Sequence, residues 1–336
     1  MKRPFTARTL LVAAALVGAT GAAVAQNWKP THPINLIVPW APGGSTDQIT
    51  RVTAAELEKA LGQTIVIVNQ PGASGSIGTK SALDAAKDGY TWTAGAAQDL
   101  GAYQTLGSLN TKITDWNLFL TVANIQVIGV NPQTPYQNAK QLLDAMKAQP
   151  GKISVATAGV TSAGHNAMEL ISKATGVTYR HVTYDGGNPA VVATVAGEAE
   201  VTTQLAVEPA DMIRGKRLRP LATVSDKALE LEGFGMIPPL AETLPGFTAP
   251  ANYFGIFIPK GVPDEVIRTL EKLWAENIVK SEALKKYAAS RGALFAPQFG
   301  DAAQKAVFPA VQANAWLLFD GGKAKVSPDT VGIPKP

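Results

Sequence analysis

Four stretches combine glycine, small residues and hydroxyls where an apolar, strand-like run gives way to a helical pattern. They are Trp40–Asp47 (WAPGGSTD), Asn69–Ser76 (NQPGASGS), Thr157–His165 (TAGVTSAGH) and Tyr184–Pro189 (YDGGNP). None contains Lys or Arg. The chemistry open to them is that of backbone amides and OH groups. The first turn of a helix leaves N–H groups without acceptors and carries partial positive charge, so it holds an anion without a cationic side chain. Glycine lets a ligand oxygen reach the backbone and tolerates φ values that other residues avoid. Neutral donors suit a carboxylate better than a phosphate-rich ligand. Hydrogen bonds to a charged group contribute about 1.5–3 kcal/mol each, and micromolar binding needs about 8 kcal/mol. About six to eight such bonds suffice even after the cost of ordering and closure.

The candidate ligand residues follow from these corners. In the first, Trp40, Gly43, Gly44, Ser45, Thr46 and Asp47 are candidates, and Ser45-x-x-Gln48 reads as a capping box with Ser45 as N-cap. Asp47 suits the helix dipole but repels a second anion, so the alternative is a dipole partner turned away from the ligand. The second corner offers Ala73, Ser74 and Gly75, and the third Thr157, Thr161, Ser162 and His165. The fourth offers Tyr184, Gly186, Gly187 and Asn188, with Asn188 placed to cap a helix and Pro189 at its first position. Replacing Gly44 or Gly187 with a β-branched residue is expected to abolish binding and spare the fold. Affinity is expected to vary little between pH 6 and 8 unless His165 touches the ligand.

Catalysis finds little support. The histidines are His32, His165 and His181. Ser162 precedes His165 by three residues, but nothing nearby orients that ring and there is no Gly-x-Ser-x-Gly elbow. No His-x-x-x-His pattern and no cysteine exist, so neither a metal site nor a cofactor is expected.

The elements that must position these corners alternate. Strand-like runs at Ile34–Val38, Thr64–Asn69, Tyr90–Ala94, Leu118–Val130, Ile153–Thr157, Tyr179–Tyr184, Val201–Ala206, Leu218–Val224 and Phe254–Ile258 are separated by helical spacing, as in Asp47–Leu61, Asn138–Ala148, Asn166–Thr175 and Pro189–Ala196. Alternation of this kind predicts an α/β fold with parallel βαβ units. In such sheets ligands gather outside the carboxyl ends of the strands, where all four corners fall. The run Leu118–Val130 reads as a strand leaving one sheet for another, with a return near Glu242–Tyr253. The expected division is a first lobe from residues 26–125 and 245–336 and a second lobe from 126–244. Pro263-Asp264-Glu265 opens a late helix, and Gly321–Pro336 reads as a strap or a frayed end.

The chain has 336 residues, 46% hydrophobic and 17% charged, too little charge for a nucleic-acid binder. Lys2, Arg3 and Arg8 precede an apolar run, Leu10–Val24, and Ala23-Val24-Ala25 forms a small-x-small site, so residues 1–25 read as a signal peptide cut before Gln26. Its loss removes those three positive charges, taking the formal net charge from +4 to +1. The expectation is a soluble periplasmic monomer of a Gram-negative bacterium.

The run Ile37-Val38-Pro39-Trp40-x-Pro42-Gly43-Gly44-Ser45-Thr46-Asp47-x-x-x-Arg51 resembles the opening signature of the tripartite tricarboxylate transporter substrate-binding proteins, the Bug family of periplasmic receptors. So do Val68-Asn69-x-Pro71-Gly72-Ala73-x-Gly75-x-Ile77-Gly78, Asp88-Gly89-Tyr90-Thr91, His181-Val182-x-Tyr184-x-Gly186-Gly187-x-Pro189-Ala190 and Gly255-x-Phe257-x-Pro259-x-Gly261-x-Pro263. The resemblance implies a two-lobe, type II-like periplasmic binding fold, each lobe a mixed sheet flanked by helices, with the ligand cleft between. It implies a di- or tricarboxylate, acidic amino acid or aromatic acid as ligand, delivered to an integral-membrane permease of a large and a small subunit. The same cleft would serve a receptor feeding a membrane sensor kinase. Two departures bear on the ligand. Trp40 stands where Phe is more usual and offers either a stacking face or core packing. Glu208, in Leu205-Ala206-Val207-Glu208-Pro209, stands near a position where the family often has a small polar residue. It could meet an ammonium group or a protonated acid, although an exposed surface acid is the plainer expectation.

Overall fold

The structure, a computed structural model, describes Met1 and residues 28–336. Apart from Met1, the expected signal peptide and its cleavage point lie outside the described residues. Chain order begins with β1 (Ile34–Val38), α1 (Ser45–Leu61), β2 (Ile65–Asn69), α2 (Ser76–Asp84), β3 (Thr91–Ala96), α3 (Ala97–Leu106) and β4 (Trp116–Asn124). It continues with β5 (Gln126–Val130), α4 (Ala139–Ala148), β6 (Ser154–Thr157), α5 (Ala163–Thr175), β7 (Arg180–Thr183), α6 (Gly187–Ala196), β8 (Val201–Leu205), α7 (Ala210–Arg214) and β9 (Arg219–Thr223). A short hairpin, β10 (Leu229–Leu231) and β11 (Gly235–Ile237), precedes β12 (Asn252–Pro259), α8 (Asp264–Glu276), α9 (Glu282–Arg291), β13 (Ala293–Phe299) and α10 (Gly300–Asp320).

These strands make two mixed sheets, one in each lobe. The first runs β13-β4-β12-β3-β1-β2 and the second β7-β6-β8-β5-β9. β1 pairs in parallel with β2 and β3, and β6 in parallel with β7 and β8, so the βαβ units sit where the alternation predicts them. The apolar run after Leu118 divides at Ile125: β4 pairs with β12 and β13 in the first sheet, β5 with β8 and β9 in the second. The chain re-enters the first sheet as β12, which pairs antiparallel with both β3 and β4.

Helices cover the sheets with stripes set by their sequence. In α8, Val266, Leu270 and Trp274 recur every fourth residue and are buried, each contributing about 1.5–3 kcal/mol. The Trp274 indole N–H donates to the Leu120 carbonyl at 2.7 Å, so the largest side chain of the stripe leaves no buried donor unpaired. α1 buries Ile49, Thr53, Leu57 and Leu61 and ends at Gly62, whose φ of 66° is the left-handed stop that glycine favours. The second lobe packs Leu142, Met146, Met168 and Ile171 against Ile128, Val155 and Val201. The tail is a strap: Lys325 and Val326 donate to the Thr105 carbonyl, and Ile333 is buried against the first lobe.

Candidate functional site

The four glycine corners meet in pairs across the gap between the lobes. The Ala41 N–H donates to the Asp185 carbonyl at 3.1 Å, joining the first corner to the fourth. The Thr161 hydroxyl donates to the Ser74 carbonyl at 3.0 Å, joining the third to the second. Backbone proximity depends on glycine here. Gly159 has φ +116°, and a β-carbon on it would stand 2.6 Å from Ser74 Oγ. The lobes are closed.

Closure leaves a pocket of about 380 Å³, open on one side, between the lobes. The N-termini of α1 (Gly44, Ser45, Thr46), α3 (Ala96, Asp99), α5 (Ser162, Ala163, Gly164) and α6 (Gly187) open onto it. Trp40, Ala158 and Phe254 supply apolar wall, and Asp99, Gln204 and Glu208 supply buried polar side chains. Among the described residues no Lys, Arg or His lines it.

Glu208 is the dominant group. It is 9% exposed, and its Oε1 accepts from the Ser45 N–H at 2.9 Å across the lobe boundary. Oε2 has no hydrogen-bond partner. Burial pushes its carboxyl up to about 7, against the hydrogen bond from Ser45. The exposed surface acid expected here is therefore corrected. Leu205, Ala206 and Val207 bury the chain up to Glu208, and its side chain turns inward onto the α1 amides. The capping box is corrected with it. Gly44, not Ser45, caps α1, no side chain caps the helix, and the Ser45 amide serves Glu208.

Asp47 orders the first corner instead of facing the cavity. Its carboxylate accepts from the Gly43 N–H at 2.9 Å, from Arg51 at 2.8 and 3.0 Å, and from Asn69 Nδ2 at 3.0 Å. Burial opposes its ionisation, but the hydrogen bonds from Arg51, Gly43 and Asn69 outweigh it and hold its pKa below the usual value. Arg51 is about half exposed, so the ion pair itself contributes little. The Gly43 and Asn69 donors decide the matter. Asp47→Ala leaves the Gly43 N–H without its acceptor and Asn69 Nδ2 with the Trp40 carbonyl alone, and is expected to destabilise the protein by about 1–3 kcal/mol. Urea denaturation checks this, and an unchanged midpoint would show that water replaces the carboxylate.

Of the sequence-derived candidates, Trp40, Gly44, Ser45, Thr46, Ser162, Gly187 and Glu208 line the cavity. Gly43, Ala73, Ser74, Thr161, Gly186 and Asn188 do not. Apart from Ala73, whose carbonyl accepts from the Ser76 hydroxyl in its own loop, they form the closed seam, with Asn188 against Gly43 and Gly186 against Ala41. Gly75 backs Trp40. Thr157, His165 and Tyr184 point elsewhere. The Thr157 hydroxyl lies 2.6 Å from His181 Nε2, and the Tyr184 hydroxyl donates to Glu198 at 3.2 Å. His165 stacks on His181 with 4.2 Å between ring centres, and its Nε2 accepts from Lys323 Nζ at 2.9 Å. Burial, with His181 and Lys323 beside it, pushes the His165 ring down to about 2, so it stays neutral. Ser162 uses its hydroxyl to accept the His165 N–H, a helix cap and not a catalytic dyad.

Sequence reasoning missed Asp99, Gln204 and Phe254. Asp99 lies in the first turn of α3 and Gln204 at the end of β8, so the rule that found the four corners covers both positions. Asp99 is 4% exposed, its Oδ1 has no partner, and burial pushes its carboxyl well above the usual range.

A family model described as tripartite tricarboxylate transporter family receptor matches residues 49–316. The chain belongs to this family. It is 30% identical over 293 residues to BugT of Bordetella pertussis, covering 84% of this chain and 88% of that protein. It is 31% identical over 293 residues to the UPF0065 protein in the tcbD-tcbE intergenic region of Pseudomonas sp. (strain P51), covering 83% and 85%. Among solved structures, the periplasmic binding protein BugD superposes with a TM-score of 0.80 at 26% identity, covering 88% of this chain and 99% of that one. MatC from Rhodopseudomonas palustris with bound malate has the same fold, with a TM-score of 0.76 at 23% identity over 87% and 99%. Members of this family are periplasmic solute-binding receptors, and the resemblance carried by the glycine corners led to the right one.

Proposed function

We propose that the chain captures a small organic carboxylate in the periplasm by closing its lobes, and presents the closed form to a permease of large and small integral-membrane subunits. It acts as a monomer and performs no chemistry on the ligand. One observation carries this reading: four helix N-termini from two lobes converge on one pocket that no cationic side chain lines among the described residues. Free first-turn amides attract a carboxylate, and a neutral grip releases it without separating a strong ion pair. The corners themselves meet through few hydrogen bonds, Ala41 to Asp185 and Thr161 to Ser74, while Lys173–Asp320, Arg291–Asp211 and Lys323–Glu169 join the lobes away from them. Among the described residues no helix is long and apolar enough to cross a membrane, consistent with a separate permease.

Isothermal calorimetry against mono- and dicarboxylates, amino acids and aromatic acids tests the reading. We expect at least one small carboxylate to bind at micromolar Kd, with a contraction in X-ray scattering on binding. Failure of every carboxylate to bind, or binding of neutral sugars in preference, would overturn it.

A further inference from the structure

We infer that the cleft selects a short zwitterion, with Glu208 and Asp99 taking a protonated amine and the α5 N-terminus with Gln204 taking a single carboxylate. This rests on the carboxylate-capture reading above and narrows it.

The inference starts from hydrogen-bond accounting. Among the residues that line the cavity, Glu208 Oε2 and Asp99 Oδ1 are buried acceptors without donors, and Gln204 Nε2 is a buried donor without an acceptor. Their residues are 9%, 4% and 2% exposed. Buried polar groups of this kind are costly unless something fills their valences. Two acceptors ask for a ligand donor, and one donor asks for a ligand acceptor.

Position then separates the two ends. Glu208 Oε1 already holds the Ser45 amide at the start of α1, and the same carboxyl presses on Gly187 at the start of α6. Three of the four helix N-termini therefore already have a carboxyl group of the protein beside them, Glu208 at α1 and α6 and Asp99 at α3, although only the Ser45 amide bonds to one. A ligand carboxylate placed there would meet a like charge in a low-dielectric site, where two carboxylates cannot both remain ionised. The α5 terminus is different. Its cap, Ser162, serves the His165 amide, and helix geometry leaves the Ala163 and Gly164 amides without intrahelical acceptors. Gly164 lines the cavity, and it packs so tightly on β8 that a β-carbon would stand 1.9 Å from the Thr203 carbonyl oxygen.

An ammonium group supplies donors to Glu208 and Asp99 and neutralises charge between them, and the Trp40 and Phe254 walls suit a short aliphatic stem. A dicarboxylate satisfies only the α5 end.

The test is calorimetry of the full mature protein against four probes of similar length: 4-aminobutanoate, succinate, butanoate and butylamine. We expect 4-aminobutanoate to bind at least about tenfold tighter than succinate or butanoate, and butylamine to bind weakly. Glu208→Gln and Asp99→Asn keep side-chain shape and should each cut 4-aminobutanoate affinity by about thirtyfold or more, while butanoate changes little. Succinate binding tighter than 4-aminobutanoate overturns this inference and leaves the carboxylate receptor standing. So does a change of less than threefold in both variants. Butylamine binding with neither acid bound, or no binding of any probe, overturns the inference alone, because the carboxylate reading falls only when the wider panel of acids fails as well.

Discussion

Glu208→Gln is expected to make the unliganded protein more stable than its parent above pH 7, and no more stable below about pH 4.5. The sign follows from the direction of the pKa change. The Glu208 carboxyl titrates at about 7 in the closed fold against an ordinary 4.5, because burial penalises its charged form. A group held above its unfolded pKa contributes fully below that unfolded value, and the contribution is lost as pH rises through the folded one. The parent protein therefore loses stability from about pH 4.5 to 7. Glutamine cannot ionise and escapes this loss. The gap between about 7 and 4.5 corresponds to roughly 3 kcal/mol. Urea denaturation of both proteins at pH 4, 5.5 and 8 reads it directly, and parallel pH profiles would remove Glu208 as a buried titrating group. The same titration replaces the pH-independent affinity expected from neutral donors. A ligand amine pairs with ionised Glu208, so its affinity should rise from pH 5.5 to 8, and neutral His165 plays no part.

The legible and illegible parts of this molecule differ in how far apart their causes lie along the chain. β1, β2 and β6 are short runs closed by glycine or hydroxyl corners, and each declares itself within ten residues. α3 does not. Eight of its residues are buried, including Gln98 and Asp99, so no polar face gives it a period. α10 carries Pro309 inside a 21-residue helix, which breaks the sequence pattern without ending the element. The corners could be found one at a time, because a glycine pair between strand and helix is a local signal. Which corner meets which could not, because Ala41 with Asp185 and Thr161 with Ser74 are contacts between lobes. Glu208 shows the limit most clearly. Its environment depends on the Ser45 amide, 163 positions earlier in the chain. A lone acid followed by Pro209 offers no local reason to be buried.

Gly44 and Gly187 look equivalent in sequence, each the second of a glycine pair at a helix start, but geometry separates them. A β-carbon on Gly44 would lie 3.5 Å from its nearest neighbours, an ordinary contact. On Gly187 it would lie 2.1–2.2 Å from three atoms of the Glu208 carboxyl group. Gly187 is the first residue of α6 and has no left-handed φ, so alanine fits the backbone and improves helix propensity by up to about 1 kcal/mol. The clash therefore acts on Glu208 alone. To admit the methyl group, the carboxyl must leave Ser45, which removes a bond across the lobe boundary and fills the ligand's space. Gly187→Ala is expected to keep near-parental stability, to weaken ligand binding at least about thirtyfold, and to expand in X-ray scattering. Gly44→Ala should differ from the parent by less than threefold in affinity. Adding Glu208→Ala to Gly187→Ala removes the colliding atoms and should restore the compact scattering profile without restoring amine affinity. An open double variant would place the obstruction in the α6 backbone, and undiminished binding by Gly187→Ala alone would show that the Glu208 carboxyl is free to move aside.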